Sequence, residues 1–84
     1  MNLYLVTAVA PKNAEVFIAI IAEKDASDAV LMLQNYTPFV TERSYIYNKY
    51  VYSAHIISIP RLATMLIPAG LFVFTTTRGP NRES

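Results

Sequence analysis

Four of the six tyrosines in this chain fall in one short segment, residues 44–53 (SYIYNKYVYS), beside two basic side chains. Tyrosine and arginine dominate the energetics of protein–protein interfaces, and aromatic rings next to cations also stack unpaired bases. The segment therefore predicts recognition rather than catalysis. The candidate partner-binding residues are Arg43, Tyr45, Tyr47, Lys49, Tyr50 and Tyr52.

A two-residue turn at 48–49 (Asn-Lys) would bring the four rings to one face of a hairpin. In one straight strand, Tyr45 and Tyr47 would lie on the face opposite to Tyr50 and Tyr52, because side chains alternate along a strand. The turn instead pairs Tyr47 with Tyr50 and Tyr45 with Tyr52. The alternative is a tyrosine face packed over the protein's own core, with the hydroxyls at its rim.

Residue types that catalyse reactions or bind metals are scarce. The chain has no cysteine, only two glycines and one histidine, His55, which follows Ser53 by two positions. A Ser–His couple needs an orienting acid and an oxyanion site, and the segment offers neither. Without a glycine-rich loop, phosphate cradles are excluded as well. We therefore predict no catalytic, cofactor-binding or metal-binding residues, no cofactor, and a protein that is not an enzyme.

The composition is unusually apolar for a short chain. Of 84 residues, 54% are hydrophobic and 15% are charged, whereas soluble domains average about 25% charged. The net charge is only +1, which favours a protein partner over nucleic acid. A small domain of this composition is expected to leave apolar side chains exposed for a partner.

The first half of the chain predicts a hairpin of two strands, residues 3–10 and 15–23, joined by a turn that contains Pro11. Both strands are apolar on both faces. Such strands need covering on both sides, and we expect a helix on one face and a helix or a second subunit on the other.

A helix is predicted over residues 25–35. Asp25 at the N-cap and Asp28 three positions later form a variant of the capping box and favour the positive helix N-terminus. Asn35 is expected to adopt the left-handed conformation that ends a helix, and Pro38 is expected to prevent continuation.

In the second half, the strand that begins after the 48–49 turn is predicted to run to Ile59. Residues 61–67 fit either a helical turn or an irregular crossing. A final strand, residues 71–77, is expected to place Phe72 and Phe74 on one face and Val73 on the other. The fold class is α+β: one domain over residues 1–77, a mostly antiparallel sheet with one main helix in the order β-β-α-β-β-β, and a loose tail at 78–84.

A membrane span and a secretory signal are not expected. The most apolar window, residues 56–74, contains Arg61, Pro60 and Pro68, and its uninterrupted apolar part is too short for a span. The start, MNLYLVT, lacks a basic region and a cleavage site. Together with the lack of cysteine, this favours the cytoplasm of a host cell.

Three segments resemble a loose group of small bacteriophage proteins. They are residues 1–7 (MNLYLVT), 17–29 (FIAIIAEKDASDA) and 71–74 (LFVF). Compact α+β phage proteins of this size include anti-defence proteins such as anti-CRISPRs, which mask a host protein surface. The resemblance therefore implies a small phage or mobile-element protein that blocks a host macromolecule.

The sequence leads to one functional hypothesis with two alternatives. The leading hypothesis is a non-enzymatic protein that sterically blocks a host protein or a protein–nucleic acid complex, an anti-CRISPR inhibitor of a CRISPR–Cas effector being its sharpest form. The first alternative is a structural accessory protein that forms a homodimer or larger homo-oligomer through an apolar sheet face. The second is a weak binder of single-stranded nucleic acid.

Overall fold

The computed structural model describes residues 1–11, 15–42, 49–58 and 68–77. Within these ranges, four strands form one antiparallel sheet in the order β3-β1-β2-β4, and two helices follow β2 in the chain. The elements are β1 (Asn2–Ala10), β2 (Glu15–Glu23), α1 (Ala26–Gln34), α2 (Thr37–Glu42), β3 (Val51–Ile56) and β4 (Gly70–Thr77).

The centre of the sheet is the predicted hairpin. β1 and β2 pair antiparallel over their whole length, from Asn2 opposite Glu23 to Ala10 opposite Glu15. β-Branched and aromatic side chains fill both strands, as is typical of residues that pack well on a pleated surface. The expected α+β class, with an antiparallel sheet and one main helix, is confirmed in these coarse terms; the described sheet has four strands where the predicted order has five.

The start of α1 is also as predicted. Asp25 has extended backbone, and its carboxylate accepts a hydrogen bond of 2.9 Å from the backbone N–H of Asp28. The end of the helix differs from the prediction. Asn35 lies in the right-handed region (φ −98°, ψ 0°) rather than the left-handed one. A second helix follows almost at once, so the chain does not need the reversal that a left-handed residue provides.

The second helix, α2, was not predicted. Pro38 was expected to end helical structure, but it lies in the first turn of α2. A proline at this position costs no intrahelical hydrogen bond, because the N–H groups of a first turn have no partner within the helix. The N–H of Val40 donates to the Tyr36 carbonyl at 3.0 Å and closes that first turn.

The predicted element order is wrong in detail, because the described elements run β-β-α-α-β-β. The predicted strand before the 48–49 turn, the undecided residues 61–67 and the tail at 78–84 lie outside the described residues. β3 ends at Ile56 rather than at Ile59. One further backbone hydrogen bond, from the N–H of Ile57 to the Leu3 carbonyl at 2.7 Å, extends its pairing with β1.

The faces of β4 also differ from the prediction. Its register with β2 shifts between Ile20, opposite Val73, and Ile21, opposite Leu71, so Phe72 is an extra residue in a bulge. The bulge puts Leu71 and Phe74, rather than Phe72 and Phe74, against the core. Strand alternation alone could not reveal this, because a bulge resets the alternation by one residue.

The two faces of the sheet have different surroundings. The covered face, as we call it, carries the even-numbered residues of β1 and the odd-numbered residues of β2 up to Ile21, and α1 and α2 pack on it. The hydrophobic core between this face and the helices is fully or almost fully buried. The core residues are Tyr4, Val6, Ala8, Phe17, Ala19, Ile21, Ala29, Leu33 and Phe39.

Candidate interaction surface

Two of the four clustered tyrosines lie on the covered face. Tyr52 is opposite Ala8 in the register of β3 with β1, and Tyr50 immediately precedes that strand. Both rings lie beside Phe39 of α2, with centroid distances of 5.6 Å for Tyr50 and 6.3 Å for Tyr52. The Tyr50 ring is also 6.0 Å from the Phe17 ring. These half-buried rings therefore extend the core beneath α2.

The hydroxyl of Tyr50 reaches a buried acid. It donates to Oε1 of Glu15 over 2.5 Å, and Glu15 has no exposed surface. A buried carboxylate needs hydrogen-bond donors to offset the loss of its hydration. The Tyr50–Glu15 hydrogen bond thus ties the start of β3 to the start of β2. Lys49, next to Tyr50, is exposed.

The proposed tyrosine hairpin is only partly within the described residues. Arg43, Tyr45 and Tyr47 lie outside them, as does the first residue of the predicted 48–49 turn. For Tyr50 and Tyr52, the ring contacts fit the alternative in which the tyrosines pack over the core. A role for the six candidate residues in partner binding stays a prediction.

The opposite face of the sheet has no described element packed on it. We call it the open face. It carries the odd-numbered residues of β1 and the residues of β2, β3 and β4 that lie in the same register rows across the sheet. Nine of the fourteen residues whose side-chain surroundings are described on this face are aliphatic. The fourteen are Leu3, Leu5, Thr7, Val9, Val16, Ile18, Ile20, Ala22, Val51, Ser53, His55, Gly70, Val73 and Thr75.

Solvent reaches the open face at both its centre and its edges. Apart from the buried Ala22, the aliphatic side chains of β1 and β2 on this face are half-buried, whereas the apolar side chains of these strands on the covered face are fully or almost fully buried. At the two edge strands, Val51 is 62% exposed and Val73 is 44% exposed, and the bulged Phe72 is 52% exposed. Antiparallel sheets usually carry polar side chains on a solvated face, so an aliphatic composition is unusual there.

The polar side chains of the described open face are hydroxyl groups and one imidazole. The hydroxyls of Thr7 and Ser53 share a hydrogen bond of 2.5 Å across β1 and β3. His55 is exposed opposite Leu5, on the same face as Ser53, as expected from their spacing. No described open-face residue is Lys, Arg, Asp or Glu, and the described ranges contain no cluster of three potential metal ligands.

Sequence reasoning placed the contact surface on the tyrosines and did not select Val51 or Val73. The signal for the open face was nevertheless present, since β1 and β2 are apolar on both faces and one helix layer covers only one of them. The strand pairings were needed to assign Val51 and Val73 to the open face.

Comparison with protein-family models, with curated proteins and with solved structures finds no significant match. Among the described residues, no helix combines the length and the hydrophobicity that crossing a bilayer would require.

Proposed function

We propose that this chain is a small non-enzymatic protein that acts by contact, and that the open face is the surface with which it binds another protein. The observation that carries the proposal is the combination of an aliphatic sheet face with no described element packed on it. Exposed apolar areas of more than a few hundred Å² are rare on monomers and mark interaction sites.

The composition of the open face favours a protein partner over nucleic acid. A surface that binds single strands needs cations for the phosphates and exposed rings for the bases. The described open face carries neither Lys nor Arg, and its only ring besides the bulged Phe72 is His55. An aliphatic surface suits the apolar core of a protein–protein interface instead.

The specific action that we propose is steric blocking of a host macromolecule, in the manner of an anti-CRISPR. Its support is the resemblance of residues 1–7, 17–29 and 71–74 to small phage proteins, together with a surface suited to covering another protein. A blocker needs no chemistry of its own, because occupying the target's working surface is sufficient.

A capture experiment with matched variants tests the proposal. Wild-type protein, Val73→Lys and Val40→Lys are cross-linked in a bacterial host lysate, and captured proteins are identified and then purified for titration calorimetry. Val73 lies on the open face, whereas Val40 is a 39%-exposed valine of α2. We expect Val73→Lys to abolish binding to the captured protein and Val40→Lys to preserve it.

Equal binding by the Val73→Lys variant and the wild type would overturn the assignment of the contact to the open face. Turnover of a substrate by the purified protein would contradict the non-enzymatic class. The blocking action itself is checked by adding the chain to the purified target and measuring whether the target's activity falls.

A further inference from the structure

We infer that the open face binds a second copy of this chain, so that the free protein is a dimer in which two sheets pack face to face. This inference rests on the proposed function, since it takes the open face as a protein-contact surface and names the protein. Three features of the open face lead to it: its size, its lack of charge and its shape.

The size of the open face fits a small dimer interface. Four strands at about 4.8 Å spacing and a mean length of about 25 Å give a face of roughly 500 Å². Two such faces in contact would bury about 1,000 Å² in total, which is near the lower limit for a specific interface. The exposed edge residues Val51 and Val73 lie within this area.

The charge distribution favours self-association over other partners. In a two-fold dimer each surface meets a copy of itself, so a surface of one charge sign would bring like charges together. The described open face has no Lys, Arg, Asp or Glu, and it is therefore compatible with itself. The described strand carboxylates, of Glu15 and Glu23, are instead in register with the covered face.

The shape of the open face suits a sheet rather than a helix. On the covered face, alanines of the central strands lie beside large aromatic side chains, which gives α1 room for close approach; Ala8 and Ala19 flank Phe17 in this way. The open face carries at least one Leu, Val or Ile on each of its four strands, with small and hydroxyl side chains between them. Side chains of this kind can interdigitate between two sheets packed about 10 Å apart.

A dimer of this kind has a consequence for target binding. If a host protein uses the same open face, it must displace the second copy, and dimerisation and target binding then compete. The free protein would hold its apolar surface out of water until the target is present.

Sedimentation velocity over a concentration series tests the dimer. Wild type is compared with the open-face variants Val51→Lys and Val73→Lys and with the control Val40→Lys, and circular dichroism checks each fold. We expect wild type and Val40→Lys to sediment at twice the chain mass of 9.4 kDa at tens of micromolar. Each open-face lysine is expected to raise the dimer dissociation constant by about a hundredfold or more, because it buries an unpaired charge.

The outcomes separate this inference from the proposed function. A wild-type monomer throughout the series, or a dimer that persists in both open-face variants, overturns the dimer. A wild-type monomer that still binds a host protein through Val73 overturns the dimer and supports the proposed function. Dimerisation that Val73→Lys abolishes, with host-protein binding unchanged, supports the dimer and contradicts the proposed contact with the host.

Discussion

The covered and open faces of the central hairpin are equally apolar in sequence but have opposite surroundings. On β2, Phe17, Ala19 and Ile21 are fully buried beneath the helices, whereas Ile18 and Ile20 on the other side remain half-buried. The covered face is completed within the chain by residues of α1 and α2. The apolar sequence of the two strands therefore shows that both faces of the hairpin need to be covered. Only the position of the helices shows which of the two faces the described part of the chain covers.

The covered face and the open face are expected to differ in role, the first in stability and the second in binding. Side chains of the covered face hold the fold together, and substitutions there are expected to change the free energy of unfolding. Side chains of the open face are expected to change association far more than stability.

Two isoleucines of β2 provide the most direct contrast. We expect Ile21→Ala to lower the free energy of unfolding by about 2–5 kcal/mol, since it leaves a cavity in the buried core. Ile18→Ala is expected to cost roughly 1 kcal/mol, because Ile18 is only half-buried on the open face. Urea denaturation measures both values in the Val73→Lys background, in which we expect the protein to be monomeric. Equal losses would mean that the two faces are equally covered in the monomer.

The hydrogen bond between Tyr50 and Glu15 tests how firmly β3 is held on the covered face. Tyr50→Phe keeps the ring but removes the donor to a buried carboxylate, and we expect a loss of about 1–3 kcal/mol. Tyr52→Phe is the matched control, because no hydrogen bond of its hydroxyl is found among the described residues. Thermal denaturation of both variants should show a clear loss for Tyr50→Phe alone. Similar stability of the two would contradict a structural role for this contact.

The cap of α1 supports the layer that covers the core. Asp25→Ala removes the acceptor for the Asp28 N–H and is expected to cost about 1 kcal/mol. Asp25→Asn should retain most of the stability, because asparagine caps helices about as well as aspartate. Chemical denaturation distinguishes the two variants. If Asn destabilises as much as Ala, the contribution of Asp25 comes from its charge and not from the cap.

Lysine at the open-face edges should have the smallest effect on the monomer. Val51 and Val73 are largely exposed, and surface substitutions usually change stability by no more than about 0.5 kcal/mol. We expect both lysine variants to unfold within that range of Val40→Lys when all are compared as monomers. A large destabilisation would show that part of this face belongs to the core of the monomer.

Local patterns predicted the elements that depend on local chemistry. The apolar runs of β1 and β2 and the capping acid Asp25 were sufficient to predict the hairpin and the start of α1. Features that depend on distant residues were not accessible. The bulge at Phe72 requires the register of β4 with β2, and the inward packing of Tyr50 and Tyr52 requires the unpredicted α2, whose Phe39 contacts both rings.

Methyl NMR during dilution of the wild-type protein shows whether two copies of the chain associate through the open face. We expect concentration-dependent shifts at the methyl groups of Ile18, Ile20 and Val73. The methyl groups of Ile21 and Leu33 on the covered side, and of the exposed Leu31 on α1, should stay constant. Shifts confined to Leu31, or none across the whole concentration range, would contradict self-association through the open face.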